Sequence, residues 1–197
     1  MWKGETAYII GGGPSLKSFD FTRIERECAI GCNDAYRLGN WVSICYFGDK
    51  EWFELHQPRP EFQSFTGLKI ACTPFPIPGV LSLERNLDDT LYLEGTKIGW
   101  FCNTGASAVN LAIRLGATKI VLLGFDMKLG NDGQSNWHPN LVNPSPTGEV
   151  YANFKYRFNL LATLIKKLRP DVKVINANPD SELDCFPRMS FEESLNA

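Results

Sequence analysis

The chain has 197 residues, of which 44% are hydrophobic and 21% charged, which suits one domain with a sizeable apolar core and leaves little room for a second. Its 20 basic and 22 acidic residues give a net charge of −2, so no overall positive field favours nucleic acid or an anionic membrane. No apolar run is long enough to span a bilayer, and the N-terminal residues lack the apolar core of a signal peptide, so we expect a cytoplasmic protein with no integral membrane segment.

The first predicted element is a strand over residues 7–11, which ends in the glycines Gly11, Gly12 and Gly13. Pro14 and Ser15 then open a predicted helix over residues 14–26. Glycines let the backbone approach a ligand closely, and free N–H groups at a helix start attract an anion, so this motif predicts a phosphate or nucleotide site. Its spacing matches neither the dinucleotide fingerprint nor the phosphate loop, and a tight β-α turn without a ligand is the alternative. Valine at Gly11 or Gly13 is expected to abolish nucleotide binding and leave the domain folded.

The remaining elements alternate between short apolar runs and helical patterns. The runs predict strands over 28–32, 42–47, 68–72, 119–124 and 172–176, and the helical patterns predict helices over 34–38, 104–115 and 150–168, with an irregular stretch from 74 to about 97. This alternation predicts a single Rossmann-like α/β domain over residues 1–197, with a mostly parallel sheet and helices on both faces.

Polar or glycine residues follow several of these strands, and the carboxyl ends of parallel strands share one edge of the sheet, where ligands bind. Asparagines there suit a base, ribose or phosphate oxygen, although asparagine also caps helices well. The candidate nucleotide-binding residues are Gly11, Gly12, Gly13, Ser15, Asn33, Asp49, Asn103, Thr104 and Gly105. Asp126, one step past a buried strand, is a candidate catalytic residue that could hold a hydroxyl or ligate a metal, or a turn aspartate.

A long segment at about 128–149 has almost no apolar periodicity, which indicates an active-site loop. His138 lies in it and is the candidate general base, because imidazole titrates near neutral pH; the alternative is a surface histidine. The other histidine, His56, is expected on the surface of a helix. The six cysteines are scattered without the C-x-x-C spacing of a zinc site, so we expect reduced thiols and no metal site among them.

Three stretches resemble the bacterial sialyltransferases of glycosyltransferase family 42 and a wider set of small Rossmann-like proteins that begin with G-x-G-P-S-L. That set includes hydroxymethyl-dihydropterin diphosphokinase-like proteins and phage-encoded chains. The stretches are Tyr8-Ile-Ile-Gly-Gly-Gly-Pro-Ser-Leu-Lys17, Gly31-Cys-Asn-Asp-Ala-Tyr36 and residues 103–126, and His138 and Asn178-Pro-Asp-Ser181 match later positions.

The resemblance implies a transferase that moves a sugar from a cytidine monophosphate sugar to an acceptor hydroxyl, a glycan or small molecule, with no further cofactor. Gly11, Gly13, Ser15, Asn33, Thr104 and Gly105 would bind the nucleotide and His138 would be the base. The departure is Gly48-Asp49, where those transferases have an asparagine. Asp49 and Asp126 together could instead hold Mg²⁺ for a diphosphokinase that uses ATP. A nucleotide-binding protein without activity is a third possibility, and the sequence leaves a homo-oligomer open.

Overall fold

A computed structural model describes residues 1–139 and 146–197 of the chain. Within them lies an eight-stranded sheet in the order β6-β5-β4-β3-β2-β1-β7-β8, and every neighbouring pair is parallel. The strands are Thr6–Ile10 (β1), Cys28–Cys32 (β2), Ile44–Phe47 (β3), Leu68–Thr73 (β4), Leu81–Asn86 (β5), Lys97–Gly99 (β6), Lys119–Leu123 (β7) and Lys173–Asn176 (β8). The α-helices are Lys50–His56 (α1), Pro60–Gln63 (α2), Thr104–Leu115 (α3), Gly148–Leu168 (α4) and Phe191–Asn196 (α5). The predicted Rossmann-like α/β class is confirmed.

The sheet is buried on both faces, as alternate residues of β1 illustrate. Ile9 packs in the layer that holds α3 and α4, while Tyr8 and Ile10 pack on the opposite face with residues of the segment that follows β1. Helix α3 has Ala108 and Ala112 fully buried among its residues, and such small side chains allow the helix to lie close to the sheet. It thereby brings its N-terminus to the carboxyl edge of the strands.

The predicted helix over 14–26 is wrong, because the segment forms two short 3-10 helices, Pro14–Ser18 and Phe21–Ile24. The Asp20 carboxylate accepts hydrogen bonds from the backbone N–H of Thr22 at 3.1 Å and from its hydroxyl at 2.7 Å. This local bond starts a new turn at Asp20, and such side-chain bonds compete with a continuous helix. Sequence patterns also gave no indication of β5, β6 or α5.

Strand β1 is the topological switch of the sheet, because β2 lies on one side of it and β7 on the other. A crevice opens at such a point, outside the carboxyl ends of the strands. The loop predicted at 128–149 has no helix or strand over 128–139 and 146–147, and α4 begins at Gly148; residues 140–145 lie outside the described part. Within the described ranges, no helix combines the length and apolar character needed to cross a membrane.

Candidate functional site

A cleft of about 370 Å³ lies at this switch point, at the carboxyl edge of the sheet. Its volume falls in the range of small-molecule sites. The structure brings nearly all of the sequence-predicted site residues to its walls: Gly11, Gly12, Gly13, Asn33, Asp49, Asn103, Thr104, Gly105, Asp126 and His138. Ser15 is the exception and lies outside the lining. Lys128 is the one lysine or arginine along the described part of the cleft wall.

The glycine segment 11–13 uses most of its backbone donors within the protein. The N–H of Gly11 donates to the carbonyl of Leu123, and the N–H of Gly13 donates to the carbonyl of Gly124, both at 2.8 Å. Within the part of the chain that the structure describes, the Gly12 N–H has no acceptor. The segment therefore offers one free donor to a ligand rather than the row of donors that the sequence suggested.

Close packing explains why positions 11 and 13 need glycine. A Cβ atom on Gly13 would lie 1.7 Å from the Oδ2 atom of Asp126, and one on Gly11 would lie 2.7 Å from the carbonyl oxygen of Gly124. A valine at either position would collide with backbone or with a fixed carboxylate. These collisions argue against the expectation that such variants remain folded.

The Asp126 carboxylate joins the glycine segment to the chain beyond β8. It accepts hydrogen bonds from the Ser15 N–H at 3.1 Å, from the Ser15 hydroxyl at 2.9 Å and from the Asn178 side-chain amide at 3.0 Å. Asp126 is 5% exposed, and burial raises the pKa of its carboxyl while the bonds from Ser15 oppose that rise. The two hydrogen bonds from Ser15 to Asp126 therefore hold the segment that carries Ser15 in place.

The Asp49 and Asp126 pair does not fit a magnesium site in this geometry. Both oxygens of Asp126 already accept hydrogen bonds, whereas Mg²⁺ needs open oxygen ligands in a near-ideal octahedron. Across residues 1–139 and 146–197, no three His, Cys, Asp or Glu side chains form a group that could hold a metal ion.

Asp49 lies just after the carboxyl end of β3 and directly precedes α1. Burial raises the pKa of the Asp49 carboxyl, and the positive charge of Arg85 opposes the rise. Arg85 itself donates to the carbonyls of Gly48 and Cys72 and stacks on Trp100 at 4.0 Å from the ring centroid. The Asp49 carboxylate thus stays available at the cleft wall as an acceptor for ligand hydroxyl or amino groups.

The N-terminus of α3 presents free donors to the cleft. The side chain of Asn103 caps this helix, since its Oδ1 accepts from the Ala106 N–H at 3.0 Å, which is the alternative role that the sequence left open. The N–H groups of Thr104 and Gly105 have no acceptor in the described ranges, and the first turn holds no acidic residue. A 12-residue helix concentrates partial positive charge at this end, which attracts an anion.

Several strained residues surround the cleft. Asn33, Phe101, Cys102 and Met127 all have positive φ angles, between 46° and 55°, a region that non-glycine residues rarely occupy. Asn33 also has a buried Oδ1 atom with no hydrogen-bond partner among the described residues. An unsatisfied buried acceptor costs free energy, and strain of this kind concentrates at ligand sites. The amide of Asn33 is therefore placed to receive a hydrogen bond from a ligand.

His138 reaches the cleft because Trp137 is fixed to the glycine segment. The Trp137 N–H donates to the carbonyl of Gly12 at 2.9 Å, and its indole N–H donates to the carbonyl of Gly11 at 3.0 Å. The side chain of His138 is 11% exposed. Its Nδ1 atom lies 3.1 Å from the carbonyl oxygen of Pro139 and 3.9 Å from the Oδ1 atom of Asp34.

The expectation of a surface position for His56 is wrong, because this residue is fully buried. Its Nδ1 atom lies 2.9 Å from the Tyr36 hydroxyl and its Nε2 atom 3.7 Å from the Oδ2 atom of Asp34. Burial is the main cause that lowers the pKa of His56, although the charge of Asp34 acts in the opposite direction. Sequence reasoning missed Asp34 as a site residue; the only signal was its place directly after Asn33 at the end of β2.

No protein-family model matches the sequence, and no curated protein matches it. Among solved structures, the chain is similar to the sialyltransferase CstII from Campylobacter jejuni in complex with cytidine-5'-monophosphate, with a TM-score of 0.56 and 16% identity over 95% of this chain and 86% of that one. It is also similar to the MAf glycosyltransferase from Magnetospirillum magneticum AMB-1, with a TM-score of 0.65 and 17% identity over 100% of this chain but 35% of that one. At such identities the likeness shows a shared fold.

Proposed function

We propose that this protein is a glycosyltransferase that moves a sugar from a nucleotide monophosphate sugar, of the cytidine monophosphate class, to an acceptor hydroxyl. The observation that carries the proposal is one cleft that combines free backbone donors from two segments with an imidazole on its wall. This transfer needs a site that binds the phosphate of the donor and a general base for the acceptor hydroxyl. The sialyltransferase and the glycosyltransferase that share the fold add support.

The phosphate of the donor would bind at the N-terminus of α3. The unpartnered N–H groups of Thr104 and Gly105 supply two hydrogen bonds there, and the helix supplies partial positive charge. The Gly12 N–H and the Lys128 ammonium approach from other walls of the same cleft. These donors would stabilise the charge that develops on the phosphate as it leaves.

The rest of the donor would be held by side chains with free acceptors. The unpaired Oδ1 of Asn33 suits an amino or hydroxyl group of the nucleoside, and the Asp49 carboxylate suits a sugar hydroxyl. Ser15 and Asp126 would act indirectly, because they bond to each other and hold the glycine segment in place. In this arrangement Asp126 is a positioning residue.

His138 would take the proton from the acceptor hydroxyl as that oxygen attacks the sugar carbon. Its Nε2 atom faces the glycine segment, since a Cβ on Gly12 would lie 3.8 Å from it. Trp137, which packs on the same segment, would shield the site from water, and exclusion of water limits hydrolysis of the donor.

Ligand-dependent unfolding tests the donor class. We would measure thermal unfolding with CMP, CDP, UDP and ATP, each with and without Mg²⁺. A ligand at 100 times its Kd stabilises a protein by about 2.7 kcal/mol, and we expect this from CMP without metal. Stabilisation by ATP only in the presence of Mg²⁺ would favour a diphosphokinase, and no response to any nucleotide would overturn the proposal.

A transfer assay with the His138→Gln variant tests the base. The activity should fall roughly 10²- to 10⁴-fold, the usual contribution of a positioned general base, while CMP affinity stays within a factor of two or so of the parent, roughly 0.4 kcal/mol. CMP binding by the same variant is the internal control. Undiminished transfer would remove His138 from the reaction, and binding without transfer in the parent protein would leave a nucleotide-binding protein.

A further inference from the structure

The side chain that approaches His138 from the end of β2 is Asp34, whose Oδ1 atom lies 3.9 Å from the Nδ1 atom of the imidazole. We propose that Asp34 is the positioning carboxylate of His138 and that, together with the Pro139 carbonyl, it keeps the proton on Nδ1 and leaves Nε2 as the base that faces the cleft. The consequence for catalysis rests on the proposed function, whereas the pairing itself does not.

The surroundings of Nδ1 determine which ring nitrogen carries the proton. Nδ1 faces two acceptors, the Pro139 carbonyl oxygen at 3.1 Å and the Asp34 carboxylate at 3.9 Å. A bare nitrogen lone pair in that position would be repelled by both, so the neutral ring of His138 must hold its proton on Nδ1. Nε2 then presents its lone pair to the cleft.

The Asp34 carboxylate is held in place by groups from two other residues. It is 6% exposed and its Oδ2 atom accepts a hydrogen bond from the Trp52 indole N–H at 2.9 Å. The guanidinium of Arg37 lies 3.5 Å from Oδ1. A buried carboxylate needs such donors to remain ionised, and a carboxylate fixed in this way can stabilise a cation on its free side.

His56 approaches the other oxygen of Asp34 without cancelling its charge. The Nε2 atom of His56 faces the Oδ2 atom of Asp34, which favours a proton on Nε2, so Nδ1 accepts a hydrogen bond from the Tyr36 hydroxyl at 2.9 Å. The neutral ring of His56 then carries its proton on Nε2, 3.7 Å from Asp34. Burial lowers the pKa of His56, so the ring is neutral at pH 7 and the negative charge remains available to His138.

In the reaction, Asp34 would act when the proton arrives. The acceptor O–H bond breaks as the oxygen bonds to the sugar carbon, the bond from that carbon to the phosphate oxygen breaks with its electron pair on the phosphate, and the proton moves to Nε2 of His138. The imidazolium so formed keeps its Nδ1–H on the Pro139 carbonyl oxygen at 3.1 Å, and the negative charge of the Asp34 carboxylate at 3.9 Å stabilises the cation. The proton then leaves to solvent.

Nuclear magnetic resonance of the ¹⁵N-labelled protein tests the pairing without any substrate. The chain has only two histidines, so the ring signals are assigned with His56→Gln and His138→Gln. In the wild-type protein we expect the neutral ring of His138 as the Nδ1–H tautomer. The Nε2–H tautomer would overturn the proposal even if no variant of Asp34 folded.

Three variants test the charge of Asp34 through the pH at which the His138 ring signals change. The charged groups around the ring are Asp34 and Arg37 from the segment after β2, His56 from the α1 side, and Asp49, Asp126 and Lys128 on the cleft wall. Arg59 acts on His56, and Asp132, in the same loop as His138, pairs with Lys17 instead. Asp34→Asn should move the midpoint to lower pH, because a neighbouring anion is lost, and Arg37→Gln should move it to higher pH. Asp132→Asn, which neutralises an exposed carboxylate paired with Lys17, is the matched control and should leave the midpoint in place.

The outcomes separate this inference from the proposed function. Equal midpoints in Asp34→Asn and Asp132→Asn would overturn the pairing, and so would a shift of Arg37→Gln to lower pH. Midpoints that move as expected in a protein that binds none of the nucleotides would support the pairing and overturn the proposed function.

Discussion

Replacing Asp126 by alanine should lower the free energy of unfolding by about 2–6 kcal/mol. The largest part comes from Asn178, which is 7% exposed, because its amide would lose its acceptor away from water at a cost of roughly 1–3 kcal/mol. Ser15 is exposed, so its two donors would return to water, and each lost bond would cost only about 0.5–1.5 kcal/mol.

Asparagine at the same position should be nearly neutral, within about 1 kcal/mol. Its amide oxygen can accept from the Ser15 N–H and from Asn178, and its NH₂ group can donate to the Ser15 hydroxyl, which then acts as the acceptor. The pair of variants therefore separates the need for hydrogen-bond partners from the need for charge.

The two variants also differ in their pH dependence. Because burial raises the pKa of Asp126, the folded protein binds this proton at a higher pH than the unfolded chain does. The wild-type protein thus loses stability as the pH rises from the ordinary pKa of aspartate to the raised one. The asparagine variant lacks this loss, so its stability relative to wild type should rise across that window and stay level above it.

Urea unfolding followed by tryptophan fluorescence measures these differences, with calorimetry as a second method. At about 2–4 °C per kcal/mol for a chain of this size, the alanine variant should unfold roughly 4–24 °C below wild type. An asparagine variant as unstable as the alanine variant would refute the reasoning, because it would mean that the charge, and not the set of bonds, holds the glycine segment.

Two further predictions concern the cleft itself. Gly12→Ala would place a Cβ atom 2.5 Å from the Oδ1 atom of Asn136 and 3.8 Å from Nε2 of His138, so calorimetric titration should show CMP affinity reduced by roughly tenfold, about 1.4 kcal/mol. Gly148→Ala, whose Cβ meets nothing within 4 Å, should bind as wild type does, and equal affinities in both variants would contradict the role of Gly12. Cys102, an exposed cysteine on the cleft wall, should react with a maleimide ahead of Cys32, whose pKa burial raises to about 12. CMP should slow that reaction, mass spectrometry of the labelled peptides measures it, and a rate independent of CMP would place the nucleotide elsewhere.

The sequence predicts the interior of this fold better than its edges. Strand β7 is a run of apolar residues buried on both faces, and that pattern is visible without a structure. Strand β5 has one buried residue among six, so neither its composition nor its periodicity distinguishes it from a loop. The sequence after β1 has the pattern of one helix, but the side chain of Asp20 divides the segment into two 3-10 helices.

The sequence predicts which residues follow the strand ends and therefore reach the cleft. It does not predict the contacts between residues that are far apart in the chain. Position after a strand places Asn33 and Asp49 at the cleft, because the carboxyl ends of parallel strands share an edge. The pairing of Asp34 with His138 joins positions far apart in the chain, and the burial of His56 depends on contacts with Tyr36 and Trp52. No local pattern encodes such contacts.

The place of β1 in the sheet has a consequence for how the protein is made. Strand β1 precedes its partner β7 by more than a hundred residues, since Thr6 pairs with Lys119. At ribosomal speeds of about 5–20 residues per second, one edge of β1 waits several seconds without a neighbour. The strand also presents Ile9 on one face and Ile10 on the other, and an unpaired apolar strand invites aggregation. The nascent chain is therefore exposed longest at the element on which the whole site is later assembled.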